Sequence, residues 1–114
     1  MMVIRQRRLD DVFQALADPT RREMLALLAR GEAAAGELGA PFRISQPAAS
    51  RHIRVLERAG LVRRRVDGRE HRLRLLPQPL RDAEAWITRH RRFWEASLDS
   101  LGRTLDELTK EDQP

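Results

Sequence analysis

With 114 residues, of which 22 are Lys or Arg and 17 are Asp or Glu, the chain has a formal charge of +5 and length enough for one small domain with an appended helix. It has no cysteine, which excludes disulfides, thiolate metal sites and thiol redox chemistry. No apolar run approaches the roughly 18 residues of a membrane span. The start, MMVIRQRRLDD, lacks the apolar segment of a secretory signal, so a cytoplasmic protein is expected. The charge is unevenly spread. Arg51 to Arg74 holds nine arginines against Glu57, Asp67 and Glu70, whereas Glu95 to Pro114 holds six carboxylates against Arg103 and Lys110. A basic stripe of this kind is the electrostatic footprint of a phosphate-binding surface.

Leu9, Val12, Phe13 and Leu16 form a short helical stripe that ends near Asp18-Pro19. Whether residues 1–8 are a basic arm or the start of that helix is open. Asp18 caps a second helix with Pro19 at its first position, Met24, Leu25, Leu27 and Leu28 on its apolar side, and Gly31 at its stop. The stretch AAAGELGA suggests a third, weak helix, whose two glycines cost about 1 kcal/mol each against alanine, so packing through Leu38 must hold it. Pro41-Phe42-Arg43 then breaks the chain.

The next stretch, ISQPAASRHIRVLERAGLV from Ile44 to Val62, organises the rest. Ser45 is an N-cap, Pro47 sits in the first turn where no N–H is needed, and Gly60 closes the helix. Ala49, Ile53 and Leu56 form a buried stripe, and Ser50, Arg51, Arg54 and Arg58 project from the opposite side, with Gln46 at the exposed N-terminal end. Arginine and glutamine can pair bidentately with base edges, so this face suits a helix laid against DNA. In isolation such a face is an ordinary solvated surface. Its context decides, because two helices joined tightly, the second turning polar residues outward, form the pattern of a helix-turn-helix.

After Gly60 the period changes to 2. Leu61 to Val66 and Arg69 to Leu75 read as strands around an Asp67-Gly68 turn, with Val62 opposite Leu73 and Arg65 opposite Glu70. Val62, His71, Leu73 and Leu75 would share one face, and Arg63, Arg65, Arg72 and Arg74 the other. A basic hairpin directly after such a helix is a wing, with Arg63 and Arg65 as candidate phosphate contacts. The alternative is that these arginines only keep an edge hairpin soluble.

Pro77 and Pro79 start the last element, one long helix from about Pro79 to Leu108, with a local kink allowed at Ser97, Ser100 and Gly102. Leu80, Ala83, Ile87, His90, Trp94, Leu98, Leu101, Leu105 and Leu108 form a heptad seam about 45 Å long. The preceding domain is too small to cover it. Together with the Leu9 and Phe13 stripe, the seam predicts a homodimer, with Leu9, Phe13, Leu80, Ile87, Trp94, Leu98, Leu101 and Leu105 at its interface.

In this order, the elements resemble the ArsR-type winged-helix transcriptional repressors. The resemblance is carried by LADPTRREMLALL (Leu16 to Leu28), GELGAPFRISQPAASRHIRVLERAGLV (Gly36 to Val62), GREHRLRL (Gly68 to Leu75) and PLRDAEAWITRHRRFWEASLDSL (Pro79 to Leu101). The last of these is similar to a subgroup without the cysteine metal-sensing motif. The resemblance implies a mainly α fold with a small β-hairpin wing, a winged helix-turn-helix with a long C-terminal dimerisation helix. It implies a single domain, with residues 9–76 as the winged-helix core, 77–109 as the dimerisation helix and 110–114 as a tail. It places the DNA-reading helix at Gln46 to Ala59, with Gln46, Ser50 and Arg51 facing bases or nearby phosphates and Pro47 at the DNA-facing end. Gly68 and Arg69 match the wing tip, which reaches flanking backbone or minor groove. Leu73 stands where an aromatic residue is common, which bears on packing, and Ala48 and Ala49 make the reading helix thin.

No metal or other cofactor is expected. Asp82, Glu84, His90 and Glu95 lack a ligand spacing, and His90 on the apolar seam reads as a packed, hydrogen-bonded residue. His52 and His71 read as structural, with phosphate contact as the alternative for His52. Trp86, Phe93 and Trp94 read as dimer core, or else as the lining of a site for an unidentified small-molecule effector. No nucleophile has an evident base partner, no paired carboxylates suggest a cleft and no phosphate-binding glycine loop is present, so catalysis is not expected. The chain therefore reads as a dimeric, sequence-specific repressor on a pseudo-palindromic operator of double-stranded DNA, with autoregulation as an option. The competing reading is a winged-helix module for protein interaction or non-specific nucleic-acid binding.

Overall fold

In a computed structural model, backbone is described for residues 2–111 and side chains for residues 8–110. The elements run α1 (Met2–Leu16), α2 (Pro19–Leu28), β1 (Ala33–Ala34), α3 (Ala35–Gly39), α4 (Gln46–Arg58), β2 (Val62–Asp67), β3 (Glu70–Leu75) and α5 (Gln78–Glu111). The first helix thus starts at Met2, and the side chains of residues 1–7 and the end of the expected tail lie outside the described residues. The chain forms two compact units, Met1–Ala83 and Glu84–Pro114.

The first unit is built around one apolar cluster. Met24, Leu38, Leu56, Leu61 and Leu73 are its largest fully buried side chains, drawn from α2, α3, α4, the α4–β2 connection and β3. Leu9, Phe13 and Leu80 pack against its margin, and Ala83 in the second turn of α5 is part of it. Leu73, noted in the sequence for replacing an aromatic residue, is completely buried.

The local signals that start and stop the helices act as the sequence suggests. Asp18 Oδ2 accepts the backbone N–H of Arg21 at 3.0 Å, and Ser45 Oγ accepts that of Ala48 at 3.2 Å. At the end of α4, Gly60 has φ +73 and donates to Glu57 O, while Leu61 N donates to Leu56 O at 3.0 Å. These two bonds are a Schellman motif. The side chains of Leu56 and Leu61, both buried, make the apolar pair that accompanies it.

Two expectations need correction. Ala33 and Ala34 leave the expected third helix and pair with Leu73 and Arg72, so the wing is a three-stranded antiparallel sheet of order β1-β3-β2. The pairing covers what would otherwise be an open edge of β3, and Leu38 anchors the five-residue helix that remains. The hairpin register also differs by two residues. Val62 pairs with Leu75 and Arg65 with Arg72, and the turn is Gly68-Arg69 rather than Asp67-Gly68. Gly68 has φ +63 and Arg69 is not left-handed, which is the pattern of a turn with glycine at its first central position. A shift of two keeps every side chain on its face. Arg63, Arg65, Arg72 and Arg74 therefore share the outer face as expected, and Arg64 and Val66 join Val62, His71, Leu73 and Leu75 on the inner one.

The last helix is unbroken through Ser97, Ser100 and Gly102. In the second unit Phe93 is 71% exposed, Leu98 66% and Leu101 56%, and Trp94 and Leu105 are exposed too.

Candidate nucleic-acid interface

Helix α4 meets the core through Ile53 and Leu56 and turns Gln46, Pro47, Ser50, Arg51, Arg54 and Arg58 to solvent. Among the described residues, Arg51, Arg54 and Arg58 have no carboxylate within 4.0 Å. The thinness of the helix at Ala49 has a packing cause. A Cβ placed on Gly39 of α3 would lie 3.1 Å from Ala49 Cβ, so the two helices meet where both side chains are minimal.

Arg21, which the sequence reading missed, joins α1 to α4. The Arg21 guanidinium donates from Nε to Ala15 O at 2.8 Å and from Nη2 to Gln14 O at 2.9 Å, while Nη1 lies 3.2 Å from His52 Nδ1. It therefore caps the C-terminus of α1 and holds α4 through His52. Arginine has no acceptor, so His52 accepts at Nδ1 and carries its proton on Nε2. Arg22 adds a bond to Leu16 O at 2.7 Å. Asp18 lies 3.8 Å from His52. The N–H of Arg21 holds the Asp18 carboxyl below its ordinary range, against a smaller opposing effect of burial.

On the other side of α4, Glu57 receives Arg64 of β2 as a two-pronged pair at 2.7 and 3.3 Å. Arg64 Nη1 lies 3.1 Å from His71 Nδ1. The Glu57 carboxylate raises the Arg64 guanidinium further above the pH range in which it could lose its charge. Period-2 alternation from Val62 assigns Arg64 to the inner face, a signal for this pair that the sequence reading did not use. Nothing in the sequence pointed to Arg21 or to Glu32, which follows.

The outer face of the sheet is less uniformly basic than its sequence. Arg65 bonds Glu32 at 2.6 Å and lies 3.7 Å from Asp67. Arg72 bonds the same Glu32 oxygen at 3.2 Å and lies 3.5 Å from Glu70. Hydrogen bonds from Arg65 and Arg72 lower the Glu32 carboxyl below its ordinary range. Arg63, Arg69 and Arg74 are exposed and, among the described residues, have no such partner.

The remaining sites lie on α5. His90 donates from Nδ1 to Trp86 O at 2.8 Å and stacks on the Trp86 ring at 4.4 Å, and Trp94 meets Trp86 edge-on at 5.5 Å. Among the described residues, no group of three or more His, Asp or Glu comes together to hold a metal, and no helix is long and apolar enough to cross a membrane.

A short helix, a tight connection, an arginine-faced second helix and a basic antiparallel sheet define a winged helix-turn-helix. A helix-turn-helix domain family matches residues 16–65. The chain is 39% identical over 97 residues to the HTH-type transcriptional regulator Rv2034 of Mycobacterium tuberculosis, covering 85% of this chain and 88% of that protein. It is 34% identical over 79 residues to the transcriptional repressor SdpR of Bacillus subtilis, covering 69% and 88%. A crystal structure of an ArsR family transcriptional regulator superposes with a TM-score of 0.74 at 39% identity, over 79% of this chain and 93% of that one. The chain belongs to the ArsR family of winged helix-turn-helix transcriptional regulators.

Proposed function

We propose that the protein is a dimeric, sequence-specific repressor that binds a pseudo-palindromic operator. The observation that carries this reading is the face of α4, where Gln46, Pro47, Ser50, Arg51 and Arg54 are all exposed on a helix anchored from behind. In a major groove, Gln46 and Arg51 would read base edges, Ser50 and Arg54 would reach bases or phosphates, and Pro47 would pack at the entering end. Arg63, with Gly68 and Arg69 at the wing tip, would bring the wing against flanking backbone, whereas Arg65, expected to share that role, is held by Glu32. Ile87, Trp94, Leu98, Leu101 and Leu105 would form the dimer seam, and Leu9, Phe13 and Leu80 would contribute to the interface from the first unit. A two-fold axis then sets the reading helices roughly 34 Å apart, on successive major grooves. Repression follows from excluding polymerase, and an effector, if used, acts from the aromatic part of the seam.

The test is fluorescence anisotropy on the protein's own upstream DNA and on a shuffled duplex, across a salt series. A preference of about a hundredfold for the native duplex, within reach of specific over non-specific binding, saturating at two chains per site, is the expected result. Equal affinity for both duplexes would favour an interaction module instead.

A further inference from the structure

The outer face of the sheet carries three cross-strand pairs whose charge changes from root to tip. Arg63 stands opposite Arg74 at the root, Arg65 opposite Arg72 in the middle, and Asp67 opposite Glu70 beside the turn. Glu32, the residue before β1, lies against the middle pair. Its Oε1 accepts from Arg65 Nη2 at 2.6 Å and from Arg72 Nε at 3.2 Å. Asp67 and Glu70 extend the chain of charges at 3.7 and 3.5 Å. Three carboxylates thus enclose two guanidiniums, and the middle and tip together are net negative apart from Arg69. The root is the opposite. Arg63 and Arg74 are exposed, face each other, and among the described residues have no carboxylate within 4.0 Å. Like charges directly opposite in an antiparallel pair repel, and a phosphate set between two guanidiniums turns that repulsion into attraction.

We propose that the wing grips DNA phosphate at its root, through Arg63 and Arg74, and that Glu32 is a positioning residue that keeps Arg65 and Arg72 out of the contact. The inference rests on the DNA-binding reading above and assigns a role to Arg74, which neither the motif nor its spacing singled out. Ion exchange is the reason. An arginine that leaves a carboxylate for a phosphate strands an anion, which takes up a cation and cancels the counterion released from DNA. An arginine with no partner releases about 0.9 counterion per contact. The salt dependence of binding therefore counts unpartnered arginines rather than all arginines.

The experiment is anisotropy across a salt series with the full-length protein and four variants, on the native and shuffled duplexes. Arg63→Gln and Arg74→Gln should each flatten the log–log salt slope by about 0.9 per chain, on both duplexes. Arg65→Gln should leave the slope unchanged. Glu32→Gln should steepen it, by up to about 1.8 per chain if both freed arginines engage. A purely structural role for Glu32 would lower the melting temperature and leave the slope alone, which would overturn the proposal. So would an Arg65→Gln slope as flat as that of Arg63→Gln with Arg74→Gln unchanged. Carboxyl NMR titration of Glu32 checks the clasp without DNA: a lowered pKa that relaxes in Arg65→Gln supports it, and an ordinary pKa in the wild type refutes it. Wild-type protein that binds neither duplex would defeat the DNA-binding reading itself, an outcome distinct from binding whose slope ignores Glu32.

Discussion

Replacing Arg21 with alanine should be among the most damaging single changes at a polar residue of the first unit. The guanidinium serves three acceptors on two helices: Ala15 O, Gln14 O and His52 Nδ1. The Gln14 contact is exposed, so water replaces it at little cost. The other two are partly buried, and a hydrogen bond from a charged donor is worth about 1.5–3 kcal/mol before relaxation. With one of them made to a carbonyl at a helix end that water can partly reach, the sum is about 2–3 kcal/mol. That corresponds to a fall in melting temperature of roughly 10–20 °C for a domain of this size. Urea denaturation followed by circular dichroism, at one fixed protomer concentration because assembly shifts apparent stability, measures it. Arg21→Lys should recover less than half of the loss, since a point charge cannot reproduce the fork. A loss below about 0.5 kcal/mol in Arg21→Ala, the scale of ordinary surface changes, would refute the view that this side chain joins α1 to α4.

Gly39→Val should push on Ala49, where even a single Cβ comes within 3.1 Å, and cost about 1–3 kcal/mol together with a loss of operator affinity; unchanged melting and binding would show that α3 and α4 have room to spare there. Asp18 and Glu32 both have lowered carboxyl pKa values, the first chiefly through the N–H of Arg21 and the second through Arg65. Their stabilisation is fully present above the ordinary carboxylate range near pH 4 and is lost as pH falls through the lowered folded values. Urea midpoints should therefore drop on acidification below that range, and Asp18→Ala should lose about 1 kcal/mol at neutral pH and flatten the acid limb. Leu101→Glu, at a site 56% exposed in the single chain, should leave the helical signal intact and turn a dimer into a monomer in sedimentation equilibrium; a dimer that persists would move the interface off the seam.

Helix starts and stops were legible because each is written in a few adjacent residues. Asp18-Pro19, Ser45 with Pro47, and Gly60 carry their geometry locally, and Gly60 and Leu61 close α4 through bonds that reach back no further than Leu56. The faces of α4 and of the hairpin were legible for the same reason, since periodicity survives a register error of two. The register itself was not, because Asp67-Gly68 and Gly68-Arg69 are both two-residue turns around one glycine. The choice between them falls to cross-strand partners such as Leu73, which must pair Arg64 on one side and Ala33 on the other. Ala33 and Ala34 read as helix by composition and became strand because β3 lay beside them. Arg21 and Glu32 were hidden because each joins elements that only the fold brings together, as with Arg65 and Glu32, 33 positions apart.

The Arg64–Glu57 fork has a consequence for how such a regulator can change over evolutionary time. It ties the last turn of the reading helix to the first half of the wing by two bonds, with His71 behind them. Within one protomer, then, the distance between α4 and the wing is set once and resists drift. On the proposed dimeric reading, adaptation to a new target has two cheap routes: exchanging the exposed side chains of α4, which would alter the word that is read, or resetting the packing between copies, which would alter the gap between the two halves of the word. Lineages descended from this chain should therefore diversify in spelling and spacing while the grip of each half stays the same.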